Sequence, residues 1–173
     1  KAPAQELTEV PRRLRPVLEQ FARKIQAGKR IRRDRDKLAA VIDGLSRYRY
    51  SLEFQPPGDG TDPVVHFLAE ERKGHCELFA TSAVLLLRCM GLPARYVTGL
   101  ICEERHPYSQ YYIARAFNVH AWGEVYLADE KRWVLVGATP PSGDLPSARN
   151  TRKQGTFSSV LDLLKQTFQQ AFA

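Results

Sequence analysis

Two side chains in this sequence can form a nucleophile and its base. Cys76 stands in Gly74-His75-Cys76-Glu77-Leu78-Phe79-Ala80, and His120 in Asn118-Val119-His120-Ala121-Trp122. Cys76 opens the most apolar helical stretch of the chain. A thiol there feels the partial positive charge of a helix N-terminus and the unpaired amides of the first turn, and both favour a thiolate. The same amides can hold an oxyanion developing on an attacked carbonyl. A cysteine nucleophile also needs an imidazole to take its proton and return it to the leaving group, and His120 is the candidate. On residue type and spacing alone the ordinary reading stays open beside this one: a buried thiol and a strand-end histidine.

Other candidates carry less. Cys102 and His106 lie four apart, like half of a zinc site, but a second pair at ligand spacing is missing. No metal and no cofactor is expected. Cys76, Cys89 and Cys102 leave one thiol over in any pairing, so no disulfide framework is expected. His75 reads as a packing or surface residue, His66 as an exposed helix residue, and Trp133 as sheet packing. Trp122 either packs the sheet or shields the Cys76–His120 pair from water. Neither a phosphate-cradling Gly-rich loop nor a nucleotide motif is present.

The elements that must position these groups follow from periodicity. Val10, Leu14, Val17, Leu18, Phe21 and Ile25 recur at helical spacing, with Pro11 in the first turn and Gly28 at the end. A second helix, capped by Asp34 or Asp36, carries Leu38, Val41, Ile42, Leu45 and Tyr48. Tyr50 to Phe54 alternates like a short strand. Asp62-Pro63 reads as an N-cap followed by proline at the first helical position, in a helix that bears Val64, Phe67 and Leu68 and stops near Gly74. Cys76 to Met90 is apolar nearly all round, as a helix at the centre of a domain would be, and Gly91 and Pro93 end it. Period two then takes over, with strands expected at 94–102, 111–117, 121–127 and 132–136 and a hairpin turn at Asp129-Glu130-Lys131. Val160, Leu161, Leu164 and Phe168 mark a final amphipathic helix. Helices followed by a mostly antiparallel sheet make the class α+β.

With 43% apolar and 26% charged residues, the 173-residue chain can bury the core of one domain. No stretch approaches the roughly 18 apolar residues of a membrane span, so any membrane contact is expected through segments outside this sequence. The sequence opens on Lys1 rather than Met, as a piece of a longer chain would. The net charge of +7 is concentrated in residues 1–50, which hold 14 basic and 6 acidic residues. The densest run, Lys24 to Lys37, raises a nucleic-acid or acidic-membrane contact. Asp34 and Asp36 interrupt it and no aromatics sit among the charges, so a solvated helix–turn–helix face is the expectation and nucleic acid is not.

The words around the two candidate residues add a family resemblance. The segment from Gly74 to Ala80, then Leu87-Arg88 and Gly91-Leu92-Pro93-Ala94-Arg95-Tyr96-Val97-Thr98-Gly99, resembles the core of the transglutaminase-like superfamily. His120-Ala121-Trp122-Gly123-Glu124-Val125 is similar to that family's histidine motif, and Val136-Gly137-Ala138-Thr139-Pro140 takes the place of its third motif. The two upstream helices, Tyr48-Arg49-Tyr50, and Asp62-Pro63 leading to Phe67-Leu68 also look like bacterial members. The resemblance implies a circularly permuted papain-like α+β fold with a Cys-His-Asp triad acting on amide bonds. It implies Tyr50 as a side-chain donor to the oxyanion, since members place an aromatic donor upstream of the cysteine; a strand-end aromatic in the core is the plainer reading. It suggests an extracytoplasmic domain of a bacterial membrane protein, with a cytoplasmic one as the alternative. Residues 1–50 are then a helical hairpin of the same domain, 51–140 the core, and 141–173 a loop and terminal helix.

One position departs from the pattern. The family's third triad residue is the Asp of Asp-x-Thr-Pro, and here it is Gly137. A triad carboxylate holds the imidazole's tautomer and stabilises the imidazolium, and losing it can cost on the order of 10⁴ in rate. Glu124 lies four residues along the strand from His120, about 13 Å away, too far to replace it. Asp129 and Glu130 are in the far turn, Asn118 is awkwardly placed, and Glu103 or Glu104 would have to fold over the site. The expectation is a cysteine acyltransferase or amide hydrolase acting on a protein or peptide amide and impaired by the missing acid. The alternative is an inactive module that binds a peptide or cell-envelope partner.

Overall fold

A computed structural model describes residues 5–58 and 60–140. The expected helix at Val160 to Phe168 lies outside the described residues. These fall in two compact units, residues 5–98 with 120–140, and residues 99–119.

The first unit is built around one helix. A turn at Pro11, whose carbonyl accepts from the Leu14 and Arg15 amides at 3.0 and 3.1 Å, leads into α1 (Arg15–Gln26). Gly28 reverses the chain at φ +74°, a conformation favoured by glycine's lack of a Cβ. In α2 (Asp34–Ser46) the N-cap is Arg33. Asp36 supplies the cap from inside, its carboxylate accepting from the Arg32 and Arg33 amides at 2.8 and 2.9 Å. Helix α3 (Pro63–His66) starts as its sequence announces: Asp62 Oδ1 accepts from the Val64 amide at 3.0 Å and Pro63 takes the first turn. It continues as a π turn over Phe67–Glu71 and ends at Arg72, φ +50°.

Helix α4 (Cys76–Cys89) is the core. Leu78, Phe79, Ala80, Ser82, Ala83, Val84, Leu86 and Leu87 are all buried, against α1, α2 and α3. A helix covered on so much of its circumference needs the all-round apolar sequence read above. Gly91 closes it at φ +79°. Arg88 then ties its end down, donating to the carbonyls of Ala94 and Glu9 at 2.9 Å each.

Two sheets complete the fold. Strands β1 (Arg49–Tyr50) and β2 (Lys73–Gly74) pair in parallel, Arg49 beside Lys73 and Tyr50 beside Gly74. Strands β3 (Ala94–Leu100), β4 (Val119–Leu127) and β5 (Arg132–Val136) form a three-stranded sheet in that order, β4 and β5 antiparallel with Gly123 opposite Val136. On β4, Ala121, Gly123, Val125 and Leu127 are buried, while His120, Trp122, Glu124 and Tyr126 occupy the other face. At the β4–β5 turn, Glu130 accepts from Arg35 of α2 at 2.7 and 2.8 Å and from Arg132 at 2.8 Å.

Three expectations change. The strand expected over 50–54 is Arg49–Tyr50 only, because β2 offers just two residues to pair with; Leu52 is exposed. The strand expected at 111–117 reduces to a bridge between Tyr112 and Arg105, followed by a 3₁₀ turn at Ala116–Asn118. In that second unit the Ile113 amide donates to Glu104 at 2.8 Å and the His106 amide to Tyr111 at 3.0 Å, so the segment folds back on 104–106 as a small loop hairpin. The first strand of the larger sheet stops at Leu100 rather than 102.

Gly74 shows how tightly the entry to α4 is packed. A Cβ there would stand 2.7 Å from Leu78 Cδ1 and 3.1 and 3.2 Å from the Phe67 ring. Leu78 can rotate away, but Phe67 is held edge-on between Tyr48 and Phe79, with centroids at 5.2 and 5.0 Å. Gly74→Ala is expected to lower stability by about 1–3 kcal/mol through overpacking, read as a lower urea midpoint at unchanged slope.

Candidate active site

The thiol is placed by β2, which runs straight into α4 with His75 as the N-cap. The His75 carbonyl takes the Leu78 and Phe79 amides at 3.1 and 3.3 Å, leaving those of Cys76 and Glu77 ahead of the first intrahelical bonds. The β1–β2 pairing sets Tyr50 beside this turn, and the Ser51 amide donates to Gly74 O at 2.8 Å. The Tyr50 hydroxyl lies within electrostatic reach of both the Cys76 amide and its thiol. Burial first, then the Cys76 thiol, raise the Tyr50 hydroxyl above its ordinary value of 10.0, against the opposing pull of the Cys76 amide. A phenol kept protonated is a hydrogen-bond donor.

The imidazole is placed by β4. A Cβ on Gly123 would lie 3.1 Å from Val84 Cγ2 in α4, and the Tyr126 amide donates to Pro93 O, just past the end of that helix, at 2.8 Å. Strand and helix therefore run in the same direction. Cys76 lies eight residues back from Val84, about 12 Å of helix. His120 lies three residues back from Gly123, about 10 Å of strand. Both steps lead to the same end of the unit. Among the described residues no hydrogen bond joins the two side chains, and the imidazole has no hydrogen-bond partner. It stacks on Trp122, with ring centroids 6.3 Å apart and planes inclined by 17°. Burial holds its pKa below the ordinary 6.5.

Gly137 follows β5 directly. Continuing the register by one residue sets it opposite Trp122 and diagonal to His120, a separation of roughly 7–8 Å in an antiparallel pair. It is exposed, its backbone is outside the left-handed region, and among the described residues a Cβ there would meet nothing nearer than Leu135 Cδ2 at 3.9 Å. The neighbouring carboxylates are engaged elsewhere. Glu124 takes Arg95 at 2.6 and 2.7 Å, and that guanidinium also lies 4.3 Å over the Trp133 ring. Glu130 takes Arg35 and Arg132. Within the second unit, Glu104 is held by Arg115 through two 3.0 Å bonds, and Asn118 Oδ1 accepts the Arg115 amide at 2.7 Å.

The weaker candidates are spent in packing. His106 is buried, with Nδ1 2.7 Å from Ser109 Oγ and 3.3 Å from the Tyr108 amide; among the described residues no three ligand-type side chains form a metal cluster. His75 Nδ1 faces Glu77 at 3.7 Å. His66, expected to be exposed, is 18% so, because Phe54 packs edge-on against it and Glu70 meets it at 3.1 Å. Tyr96, on the strand face shared with the buried Ala94, lies within electrostatic reach of Glu77 and Cys76. Alternation along β3 was the signal that would have singled it out.

The lowered imidazole pKa has a stability consequence. Near and below 6.5 the unfolded chain binds a proton at His120 that the folded chain resists, so this contribution is present above that range and is lost on acidification. A His120→Gln chain is expected to lose less of its thermal midpoint than the native chain between about pH 7 and pH 5, measured by circular dichroism.

Comparison with known proteins bears on the fold and the family. Residues 19–138 match the transglutaminase-like superfamily. A protein-glutamine gamma-glutamyltransferase of Pseudomonas aeruginosa is 33% identical over 102 residues, covering 59% of this chain and 15% of that protein. The YebA protein of Bacillus subtilis is 34% identical over 111 residues, covering 60% and 15%. The crystal structure of the periplasmic domain of TgpA from Pseudomonas aeruginosa superposes with a TM-score of 0.62 at 29% identity, over 75% of this chain and 44% of that one. The chain thus spans about a seventh of the length of these two full-length relatives. With helices packed on an antiparallel sheet in the papain-like manner and most of its length matched, the chain belongs to the transglutaminase-like superfamily.

Proposed function

We propose that this chain is a cysteine-dependent acyl-transfer domain acting on carboxamides of proteins or peptides, slowed by the absence of a side chain at 137. The observation that carries the reading is the parallel course of α4 and β4, which brings Cys76 and His120 to one end of the unit with Tyr50 beside the Cys76 amide. Cys76 Sγ attacks the carboxamide carbon as its proton passes to His120. The Cys76 amide and the Tyr50 hydroxyl face the oxyanion. The C–N bond breaks, ammonia or an amine leaves with the proton from His120, and a thioester remains. A primary amine, or water, then attacks that carbonyl, gives its proton to His120 and restores the thiol. The relative named as a protein-glutamine gamma-glutamyltransferase supports glutamine as donor and an amine as acceptor.

The missing carboxylate sets the rate. An imidazolium buried without a counter-charge is costly, and the lowered pKa of His120 reflects that burial. Gly137→Asp is therefore the informative variant, since the space at 137 accepts it. Incorporation of a fluorescent primary amine into a glutamine-containing protein is expected to rise in it by up to ~10⁴ and to vanish in Cys76→Ala. Should Gly137→Asp stay inert while folded, the cleft is a binding surface and the acyl-transfer reading fails. In the active variant, Tyr50→Phe is expected to lower kcat by about 10²-fold, as loss of one oxyanion donor does.

A further inference from the structure

We propose that the open position at Gly137 is a carboxylate site: a carboxylate from outside the chain seats beside Trp122 and completes His120. The inference rests on the Cys76–His120 reading above and adds the chemistry of what that site takes. Four observations support it. Gly137 is exposed, and among the described residues nothing stands within 3.9 Å along its Cβ direction. Its neighbour Leu135 is 61% exposed, so this edge of the sheet is open to solvent. The imidazole lacks a hydrogen-bond partner among the described residues. The carboxylates on the same sheet, Glu124 and Glu130, are already bound to arginines and do not compete for the place.

The visiting carboxylate accepts a hydrogen bond from the imidazole N–H and stabilises the imidazolium formed when the thiol proton moves across. It forms and breaks no covalent bond and leaves with its charge unchanged. Two sources share this chemistry: a small free carboxylate, or an Asp or Glu side chain on the peptide being modified. In the second case the substrate carries part of the machinery, and acidic neighbours of the target residue determine which peptides react.

The test reads Cys76 alone. Alkylation by iodoacetamide forms the Sγ–C bond and releases iodide, at a rate set by the thiolate population. It is followed by peptide mass mapping in the full chain, in formate against chloride at equal ionic strength. The native chain is expected to show a saturating acceleration of about tenfold, a small part of the ~10⁴ attributed to a triad carboxylate. Gly137→Asp, which carries its own, and Gly137→Val, which fills the space, are expected to show none, with folding of each checked by circular dichroism. An absent or non-saturating formate effect, or one equal in Gly137→Val, overturns the proposal. A capped Glu-containing peptide compared with its Ala counterpart separates the sources: acceleration by the Glu peptide at lower concentration than formate assigns the carboxylate to the substrate, and equal potency to a free anion. His120→Ala in chloride keeps the two readings apart. If alkylation slows there but formate does nothing, only the carboxylate site is lost; if alkylation is indifferent to His120, both fall.

Discussion

The burial of α4 is the constraint on which the other elements depend. A helix with apolar residues on most of its surface has no exposed face to spare, so α1, α2, α3 and β4 must all come to it. Its N-terminus cannot be covered in the same way without stranding amides, and the chain leaves it beside a two-residue strand pair. Cys76 therefore sits where a packed core gives way to open backbone donors. Gly74 and Gly123 are the joints of this arrangement. One lets Leu78 and Phe67 close over the entry to α4, and the other lets β4 lie against Val84. Neither touches a reacting atom, yet each fixes a position on which the thiol or the imidazole depends.

The outer face of the sheet carries a different logic. His120 stacks on Trp122, and farther along the same strand Glu124 binds Arg95, which covers Trp133. Aromatic and charged side chains alternate along that face in two sets of contacts, and the imidazole is at its end. The indole lies beside the imidazole and supplies no charge. A triad aspartate provides orientation and charge stabilisation together; here β4 fixes where His120 stands, and position 137 carries no side chain.

Much of this was legible in the sequence because it is local. The Asp62-Pro63 cap, the apolar run of α4, Gly91 at its end and β5 at 132–136 each follow from a few consecutive residues. Cys76 and His120 stand out in the sequence as chemistry, and the structure sets one at the start of α4 and the other on β4. What sequence could not supply were quantities fixed by partners far along the chain. The strand at Tyr50 is two residues long because β2 is, not because of its own alternation. The 111–117 segment alternates like a strand but finds 104–106 to fold against instead of a sheet. Likewise Glu124 was set aside on distance along the strand, whereas its engagement by Arg95, 29 residues away, gives a second and independent reason.

The Arg35–Glu130 pair is a tie between α2 and the β4–β5 turn that resists acid. Hydrogen bonds from Arg35, then Arg132, hold the Glu130 carboxyl down to about 2, well under the ordinary 4.5. Its contribution is complete above that ordinary value and fades only as the pH falls toward 2. The link between α2 and the β4–β5 turn therefore keeps both its charges through mild acidification, and a response of the protein to milder acid arises elsewhere in the fold.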